Sequence, residues 1–252
     1  MIKAIVLAAG KGTRMNSSLP KVVHKVCGAP MVEHVITALF GAGVTDICVV
    51  VGYEADTVKT AIEDTMLVKT GNVKITYVTQ QEQLGTGHAV KCAADFIGDG
   101  GSVLVLCGDT PLIKASTLRN LIEFKKTNGC DVVVLSAVLD DPTGYGRIIR
   151  DGDGEFIKNV EHKDATESER ASHEVNSGMY IFDSKKLYEA LFEINNNNAQ
   201  GEYYLPDTLE IILKKGGVVD AVAVKDPSEI NGVNTPVQLE AAEKIMCERM
   251  KK

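Results

Sequence analysis

The chain has 252 residues, of which 44% are hydrophobic and 24% charged, and its net charge at pH 7 is −7. This composition is typical of a globular protein with a full core, and the acidic balance disfavours a nucleic-acid binder. No apolar run reaches the roughly 20 residues of a membrane-spanning helix, and the first apolar run lacks the basic leader of a signal peptide, so we expect a cytoplasmic protein.

Short runs rich in valine and isoleucine alternate with longer amphipathic runs in the first half of the chain. The short runs predict strands at 2–7, 46–51, 74–78, 102–106 and 131–137. The longer runs predict helices at 31–40, 54–64, 87–97 and 115–128. Strands that alternate with helices predict an α/β fold with a mostly parallel central sheet and helices on both faces.

The pattern changes after residue 137. The residues "DGDG" at 151–154 separate two alternating runs and predict a β-hairpin, and "NSGMYIF" predicts a further strand. Helices near 184–193 and 204–215, a strand at 218–224 and a terminal helix from residue 235 complete the chain. We expect this half to cover the carboxyl edge of the sheet, where such folds bind ligands.

A glycine-rich basic loop, "GKGTRM", follows the first predicted strand. It is not a Walker A loop, because its lysine precedes the second glycine. Met15 stands where a dinucleotide fingerprint requires a third glycine, which disfavours a dinucleotide-dependent reductase. Its glycines allow backbone N–H groups to approach phosphate oxygens, and Arg14 and Lys21 can neutralise them. The loop therefore predicts a phosphate site of another kind.

Two polar stretches lie at other predicted strand ends. Asp109 either caps the turn or helix that Pro111 opens or binds a hard cation such as Mg²⁺, and the residue pattern leaves both readings open. Gln80 carries a primary amide, which both donates and accepts and can match N3–H and O4 of uracil, or simply fills a polar loop. His88, within the following helix, is expected to pack rather than to act in catalysis. The six cysteines have no metal-binding spacing and are expected to be reduced and mostly buried.

A resemblance to a known family rests on nine stretches, which are "LAAGKGTRM", "LPKVVH", "QLGTGHA", "GDTPL", "DDPTGYGRI", "VEHKDAT", "NSGMY", "NNNNAQGEYYLPD" and "GVNTPVQL". Together they resemble the uridyltransferase domain of the bifunctional N-acetylglucosamine-1-phosphate uridyltransferases and glucosamine-1-phosphate acetyltransferases. The opening motif alone indicates only the wider sugar nucleotidyltransferase family. The resemblance covers nearly the whole chain and implies a Rossmann-like nucleotidyltransferase fold with a small β-hairpin subregion over the active site.

The resemblance implies a specific reaction. The phosphate of N-acetylglucosamine-1-phosphate attacks the α-phosphorus of UTP in line, with Mg²⁺ as cofactor, to give UDP-N-acetylglucosamine for cell-wall synthesis and pyrophosphate. Two alternatives remain: transfer from UTP or dTTP to another hexose-1-phosphate, and a non-catalytic relative that binds nucleotide sugars. The combined presence of Arg14, Lys21, Asp109 and Asn234 favours an enzyme, because a scaffold has no need of all four.

Site roles carry over from the resemblance position by position. Arg14 and Lys21 correspond to the catalytic residues that bind and activate the phosphates. Asp109 and Asn234 correspond to the metal ligands, which selects the metal-binding reading of Asp109. The positions that match nucleotide contacts are Leu7, Ala8, Ala9, Gly10, Gln80, Gly85 and Thr86. The positions that match sugar contacts are Gly146, Glu161 and Asn176, together with Thr86.

Some features depart from the resembled family. Cys107 and Pro206 stand where some relatives have tyrosine and threonine, so they alter details of the sugar contacts. The hexapeptide repeats of the acetyltransferase domain are absent from this sequence. We therefore expect a nucleotidyltransferase domain at 1–230, its terminal helix at 231–252, no acetyl transfer, and a monomer.

Overall fold

A computed structural model describes residues 1–251 of the chain. The strands are β1 (Ile2–Ala8), β2 (Lys25–Val26), β3 (Ala29–Pro30), β4 (Asp46–Val51), β5 (Lys74–Thr79), β6 (Ser102–Cys107), β7 (Val132–Val138), β8 (Arg147–Arg150), β9 (Phe156–Val160), β10 (Glu174–Asp183) and β11 (Val219–Ala223). The helices are α1 (Met31–Gly41), α2 (Ala55–Glu63), α3 (Met66–Lys69), α4 (Thr86–Cys92), α5 (Ala94–Ile97), α6 (Ala115–Asn128), α7 (Glu167–Arg170), α8 (Ser184–Leu191), α9 (Asp207–Lys214) and α10 (Pro236–Met250). Among them, none combines the length and apolar character that crossing a membrane requires.

The central sheet is mostly parallel, as predicted. Its strands lie in the order β11-β7-β10-β6-β1-β4-β5, and β8 and β9 form a hairpin attached to β10. The pairs β1/β4, β1/β6, β4/β5 and β7/β11 are parallel, whereas β10 runs antiparallel between β6 and β7. The parallel strands β1, β4, β5 and β6 therefore end at one shared edge, where their loops meet.

Helices cover both faces of the sheet because strand side chains alternate between two apolar cores. In β1, Ala4 and Val6 join the core beneath α1, α2 and α6, whereas Ile5 joins the core beneath α4, α5, α8 and α9. All three side chains have no exposed surface. Burying a side chain of valine or isoleucine size contributes about 1.5 to 3 kcal/mol, so these strands are the main stabilising elements.

Most predicted elements are confirmed, and a few differ in their bounds. The strand at 46–51 and the helix at 115–128 are reproduced at both ends. The helix predicted at 87–97 is divided into α4 and α5, because the backbone of Ala93 leaves the helical region with ψ of 17°. The helix predicted from residue 204 begins only at Asp207. The two-residue strands β2 and β3 were not predicted.

The basic residues near the amino terminus do not form one surface. Lys3 lies at the opposite end of β1 from the glycine-rich loop, and its Nζ donates to the carbonyl oxygen of Phe96 at 2.9 Å. The Nζ of Lys11 lies 5.2 Å from the ring centre of Tyr53. Arg14 and Lys21 both donate to Asn234 at the shared strand edge, so these two bring positive charge to a ligand bound there.

Candidate active site

The glycine-rich loop folds back onto the segment that carries Lys21. Gly12 has φ of 66°, a left-handed conformation that favours glycine. A Cβ atom at Gly12 would lie 2.5 Å from the Cβ of Lys21, so only glycine permits this approach. Val22 and Val23 are buried beside Lys21 and anchor it. The loop therefore holds the base of the Lys21 side chain in place.

Four polar side chains from distant parts of the sequence meet at the strand edge. The Nζ of Lys21 donates to Oδ2 of Asp109, in an ion pair, and to Oδ1 of Asn234 at 2.8 Å. The Nη2 of Arg14 donates to the same Asn234 oxygen at 2.9 Å. The structure thus brings together both residues of the predicted catalytic pair and both predicted metal ligands. We call these four residues the cation cluster.

The capping alternative for Asp109 is wrong. Helix α6 begins at Ala115 with Lys114 as its N-cap, and among residues 1–251 no backbone N–H of the turn around Pro111 donates to the Asp109 carboxylate. The Asp109 carboxylate instead pairs with Lys21. The backbone carbonyl oxygen of Asp109 accepts from the backbone N–H of Val233 at 2.9 Å. This backbone bond holds the Asn234 segment beside Asp109.

The oxygen atoms of Asp109 and Asn234 fit a divalent metal. The Nδ2 of Asn234 donates to the carbonyl oxygen of Gly232 at 3.3 Å, which turns Oδ1 toward the positive charges. A carboxylate oxygen and an amide oxygen already converge on the Lys21 ammonium, and hard oxygen donors of this kind are those that Mg²⁺ prefers. The donor chemistry is therefore suited to the expected cofactor.

A cavity of about 310 Å³ lies beside the cation cluster, and we call it the loop cavity. It contains the side chains of Lys21 and Asp109 in its wall. All seven positions predicted to contact the nucleotide also line it, namely Leu7, Ala8, Ala9, Gly10, Gln80, Gly85 and Thr86. The end of β1 with the loop after it, and the segment from the end of β5 to the start of α4, supply these seven residues, as expected for the carboxyl edge of a parallel sheet.

A second cavity of about 210 Å³ adjoins the first, and we call it the hairpin cavity. The four positions predicted to contact the sugar all line it, namely Gly146, Glu161, Asn176 and Thr86. A Cβ atom at Gly146 would lie 3.1 Å from the Glu161 carboxylate, so glycine leaves room beside that group. Leu7, Thr86 and Cys107 line both cavities. Two ligands bound in the two cavities would therefore meet at this common wall.

The residues 203–205 shape the common wall, and this contribution was missed in the sequence. The backbone N–H of Leu205 donates to Oγ1 of Thr86 at 3.1 Å, and the N–H of Gly87 donates to the Tyr203 carbonyl oxygen at 2.8 Å. A Cβ atom at Gly85 would lie 2.6 Å from that same oxygen. The two glycines that flank Thr86 were the available signal, because glycine marks close backbone approach.

Asn176 makes only internal hydrogen bonds in this conformation. Its Nδ2 donates to Oδ1 of Asn159 at 3.0 Å and to Oη of Tyr180 at 2.8 Å. Its Oδ1 accepts from the backbone N–H of Gly178 at 2.9 Å. A sugar hydroxyl or amide can still donate to the second lone pair of that oxygen. Asn176 is thus an acceptor held rigidly at the wall.

Arg147 is a buried positive charge that sequence reasoning did not identify. It is 1% exposed, and it donates to the carbonyl oxygen of Tyr145 and, at 3.3 Å, to Nδ1 of His162. Burial and the nearby Arg170 lower the pKa of Arg147. Because its partners flank Gly146 and Glu161, the guanidinium ties together two segments of the hairpin cavity.

The departures Cys107 and Pro206 lie where sugar contacts were expected. Both line the hairpin cavity. Burial and the Asp109 charge raise the pKa of Cys107 to about 12, so this side chain is a neutral thiol at pH 7. Cys48 and Cys130 are fully buried, whereas the other four cysteines, Cys107 included, are only partly buried, which corrects the expectation that most are buried.

Acidic side chains gather beside the hairpin cavity. Burial raises the pKa of Glu161, and the charge of Asp164 adds to the effect. Burial, with the charges of Glu210 and Glu161, raises the pKa of Asp207 to about 6. The negative charges of these carboxylates therefore repel one another at neutral pH, and this repulsion lowers the free energy of unfolding.

Asp207→Asn tests this cost. A carboxyl with a higher pKa in the folded chain binds more protons when folded, so its contribution to stability falls as pH rises from about 4 to about 7. We expect Asp207→Asn to raise the Tm by about 3 °C at pH 7 and by less at pH 5. Thermal unfolding at both pH values measures the effect, with exposed Asp99→Asn as the control. An equal Tm change at the two pH values would contradict the raised pKa.

A sequence model of the family described as nucleotidyl transferase matches residues 3–227. The chain belongs to the nucleotidyl transferase family. Sugar nucleotidyltransferases act on nucleoside triphosphates and sugar phosphates, and they generally use a divalent metal.

Relatives of this nucleotidyl transferase include longer proteins. The "Bifunctional protein GlmU" of Thermoanaerobacter pseudethanolicus is 52% identical over 246 residues, which are 98% of this chain and 52% of that protein. The protein of the same name from Clostridioides difficile is 50% identical over 248 residues, again 98% of this chain and 52% of that protein. The chain thus spans about half the length of the curated relatives it matches.

A solved structure confirms the predicted nucleotidyltransferase fold. The structure of UDP-glucose pyrophosphorylase with UDP-glucose matches 99% of this chain and 100% of that chain with a TM-score of 0.78. The sequence identity is 19%, so this likeness concerns the fold alone.

Proposed function

We propose that the chain transfers a uridylyl group from UTP to N-acetylglucosamine-1-phosphate and releases pyrophosphate. The observation that carries the proposal is the pair of adjoining cavities, with the cation cluster at the edge of the first. UTP is assigned to the loop cavity and the sugar phosphate to the hairpin cavity. The phosphate of the sugar then approaches the α-phosphorus at the common wall formed by Leu7, Thr86 and Cys107.

Arg14 and Lys21 are the catalytic cations in this proposal. A phosphate oxygen of the sugar phosphate forms a bond to the α-phosphorus as the bond to the pyrophosphate oxygen breaks. The leaving pyrophosphate gains negative charge, and positioned cations that neutralise developing charge lower the barrier. Arg14 presents a planar fork to the phosphates, and Lys21 presents a single ammonium that the loop holds at its base.

Asp109 and Asn234 are the proposed metal ligands. Both oxygen atoms now accept from Lys21, and they would hold Mg²⁺ once the phosphates of UTP attract the Lys21 ammonium. A bound Mg²⁺ would supply positive charge that neutralises the phosphates. Asp109 contributes the negative charge of the site, and Asn234 contributes a neutral oxygen whose direction is set by Gly232.

Residues 231–252 are proposed to complete the catalytic domain rather than to begin another. Val233 and Ala242 belong to an apolar cluster that also contains Met15 and Val26, next to the glycine-rich loop. Asn234 lies between these two anchors. The division at 1–230 and 231–252 therefore describes one unit with a terminal helix that supports the site.

Pyrophosphate release tests the proposal directly. The full chain is assayed with Mg²⁺ against UTP, dTTP, CTP, ATP and GTP, each paired with the 1-phosphates of N-acetylglucosamine, glucose and glucosamine. We expect the highest kcat/KM for UTP with N-acetylglucosamine-1-phosphate.

Other results have defined meanings. A higher kcat/KM with another hexose-1-phosphate, or with dTTP, would replace the proposed substrates while keeping the reaction class. Binding of UDP-N-acetylglucosamine without any turnover would replace the enzyme by a nucleotide-sugar-binding protein.

A further inference from the structure

The side-chain amide of Gln80 is held in one orientation. Its Nε2 donates to the carbonyl oxygen of Gly85 and to Nδ1 of His88, each at 3.1 Å. A carbonyl oxygen only accepts, so nitrogen must face Gly85, and Nδ1 of His88 must then carry the lone pair. Both amide hydrogens of Gln80 are used inside the protein. The sequence predicted that the Gln80 amide could both donate to and accept from a base. In the structure only its oxygen, Oε1, is left to accept from a ligand.

In the described part of the chain, an acceptor and a donor without partners lie close together at this wall of the loop cavity. Gln80 is 4% exposed, and its Oε1 receives no hydrogen bond from residues 1–251 and is not among the sealed, unpaired side-chain atoms. Within the same described residues, the backbone N–H of Gly85 has no acceptor. An acceptor with a nearby donor complements the N3–H and O4 of uracil or thymine. Cytosine carries the opposite pattern, with N3 accepting and its amino group donating.

We infer that His88 is a positioning residue that selects the nucleobase through Gln80. The Gly85 carbonyl oxygen and the lone pair on Nδ1 of His88 together hold the Gln80 amide nitrogen away from the cavity, so Oε1 faces the base. The site then accepts uracil or thymine and rejects cytosine. This inference rests on the proposed function, because it requires a nucleotide in the loop cavity.

His88→Leu removes the acceptor that holds the amide. We expect the ratio of kcat/KM for UTP over CTP to fall by about tenfold, with an unchanged KM for the sugar phosphate. His88→Asn places an amide oxygen near the position of Nδ1 and should restore most of the ratio. Cys92→Ala is the matched control, because it removes only the Sγ that lies 3.9 Å from Nε2 of His88.

Binding of UDP and CDP, measured by calorimetry on the same variants, separates this inference from the proposed reaction. A wild-type chain that prefers UDP but releases no pyrophosphate would overturn the reaction and leave the inference standing. An unchanged ratio of UDP to CDP affinity in His88→Leu would overturn the inference, as would equal affinities in the wild type.

A second site lies away from both cavities, where two cysteines meet. The Sγ atoms of Cys27 and Cys247 are 2.6 Å apart, and a disulfide bond requires about 2.05 Å. Cys27 lies in the turn between β2 and β3 with φ of 44°, and Cys247 lies in α10. Glu243 offers a carboxylate oxygen close to both sulfur atoms.

This thiol pair borders the apolar cluster beneath the cation cluster. Cys27 packs against the group of Met15, Val26 and Val233, together with Met246 of α10. Met15 follows Arg14, and Val233 precedes Asn234. A covalent bond at this point would join the terminal helix to the support of the site.

We infer that Cys27 and Cys247 form a reversible disulfide when a hydroperoxide reacts with them. One thiolate attacks the peroxide oxygen and becomes a sulfenic acid, with release of water or an alcohol. The second thiol displaces the hydroxyl group as water and forms the S–S bond, so two thiols are oxidised by two electrons. The hydrogen bond to Cys247, together with burial, raises the pKa of Cys27 to about 11, so the reaction should accelerate at alkaline pH.

Hydrogen peroxide treatment of the full chain tests the thiol pair. We expect free thiols to fall from six to four, a cross-linked peptide of Cys27 and Cys247, and a Tm rise of about 5 °C that dithiothreitol reverses. Cys27→Ser and Cys247→Ser should each prevent the change, whereas Cys130→Ser should not. Six remaining thiols after peroxide treatment would overturn the inference. It would also be overturned if the chain bound one equivalent of Zn²⁺ and the bound ion protected both thiols from peroxide, because the pair would then be a metal site.

Discussion

Asp109→Asn is expected to lower kcat for Mg²⁺-dependent pyrophosphate release by about 10² to 10³-fold. Asparagine keeps the size of the side chain and can still accept from Lys21, but it removes the negative charge that attracts a divalent cation. The Mg²⁺ concentration for half-maximal rate should therefore rise as kcat falls. Initial rates across a Mg²⁺ titration, at saturating UTP and sugar phosphate, measure both effects.

The structural cost of this change is expected to be small, because the Asp109 side chain keeps its shape and remains 15% exposed. Thermal unfolding should show a Tm within a few degrees of the unmodified chain. Asp99→Asn removes an exposed carboxylate elsewhere and serves as the matched control. A rate for Asp109→Asn within twofold of the unmodified chain would contradict the metal assignment.

Lys21→Ala is expected to lower kcat by about 10³-fold, with a smaller change in KM for UTP. The ammonium is proposed to neutralise charge that develops as pyrophosphate leaves, so its loss affects the transition state more than the bound substrate. Steady-state kinetics with UTP and N-acetylglucosamine-1-phosphate separate kcat from KM.

Lys11→Ala is the matched control for this prediction. Lys11 lies in the same glycine-rich loop, but its Nζ contacts the ring of Tyr53 rather than the cation cluster. We expect less than a threefold change for Lys11→Ala. Equal losses in the two variants would indicate a general effect of loop charge, and unchanged kinetics in Lys21→Ala would remove its catalytic role.

The sequence indicated the elements well wherever burial follows a regular period. The valine-rich strand β4 and the amphipathic helix α6 begin and end at the predicted residues, because side-chain alternation and helical spacing are local properties. The break at Ala93 has no glycine or proline to mark it. The late start of α9 arises because residues 203–205 bond to the start of α4 instead.

The order of the strands in the sheet could not be predicted from the sequence, because it depends on tertiary contacts. Nothing local in "NSGMYIF" states that β10 inserts antiparallel between β6 and β7. Its position depends on contacts between residues far apart in the sequence, such as Tyr180 with Val105 of β6 and Phe182 with Val132 of β7. That insertion brings Asn176 and the β8/β9 hairpin over the carboxyl edge of the parallel strands.

By itself, the sequence determined which chemical groups are available and that strand ends carry them. The glycine-rich loop, the isolated cations and the oxygen ligands were readable because residue type and spacing set backbone freedom and charge. Only the tertiary structure decided which of these groups meet, because hydrogen-bond partners depend on distances that no local pattern encodes. The tertiary structure places Lys21 in the cation cluster and Lys11 beside Tyr53, and it pairs the Asp109 carboxylate with Lys21 rather than with a cap. It also leaves only Oε1 of Gln80 free to bind a ligand, because His88 and Gly85 accept both of its amide hydrogens.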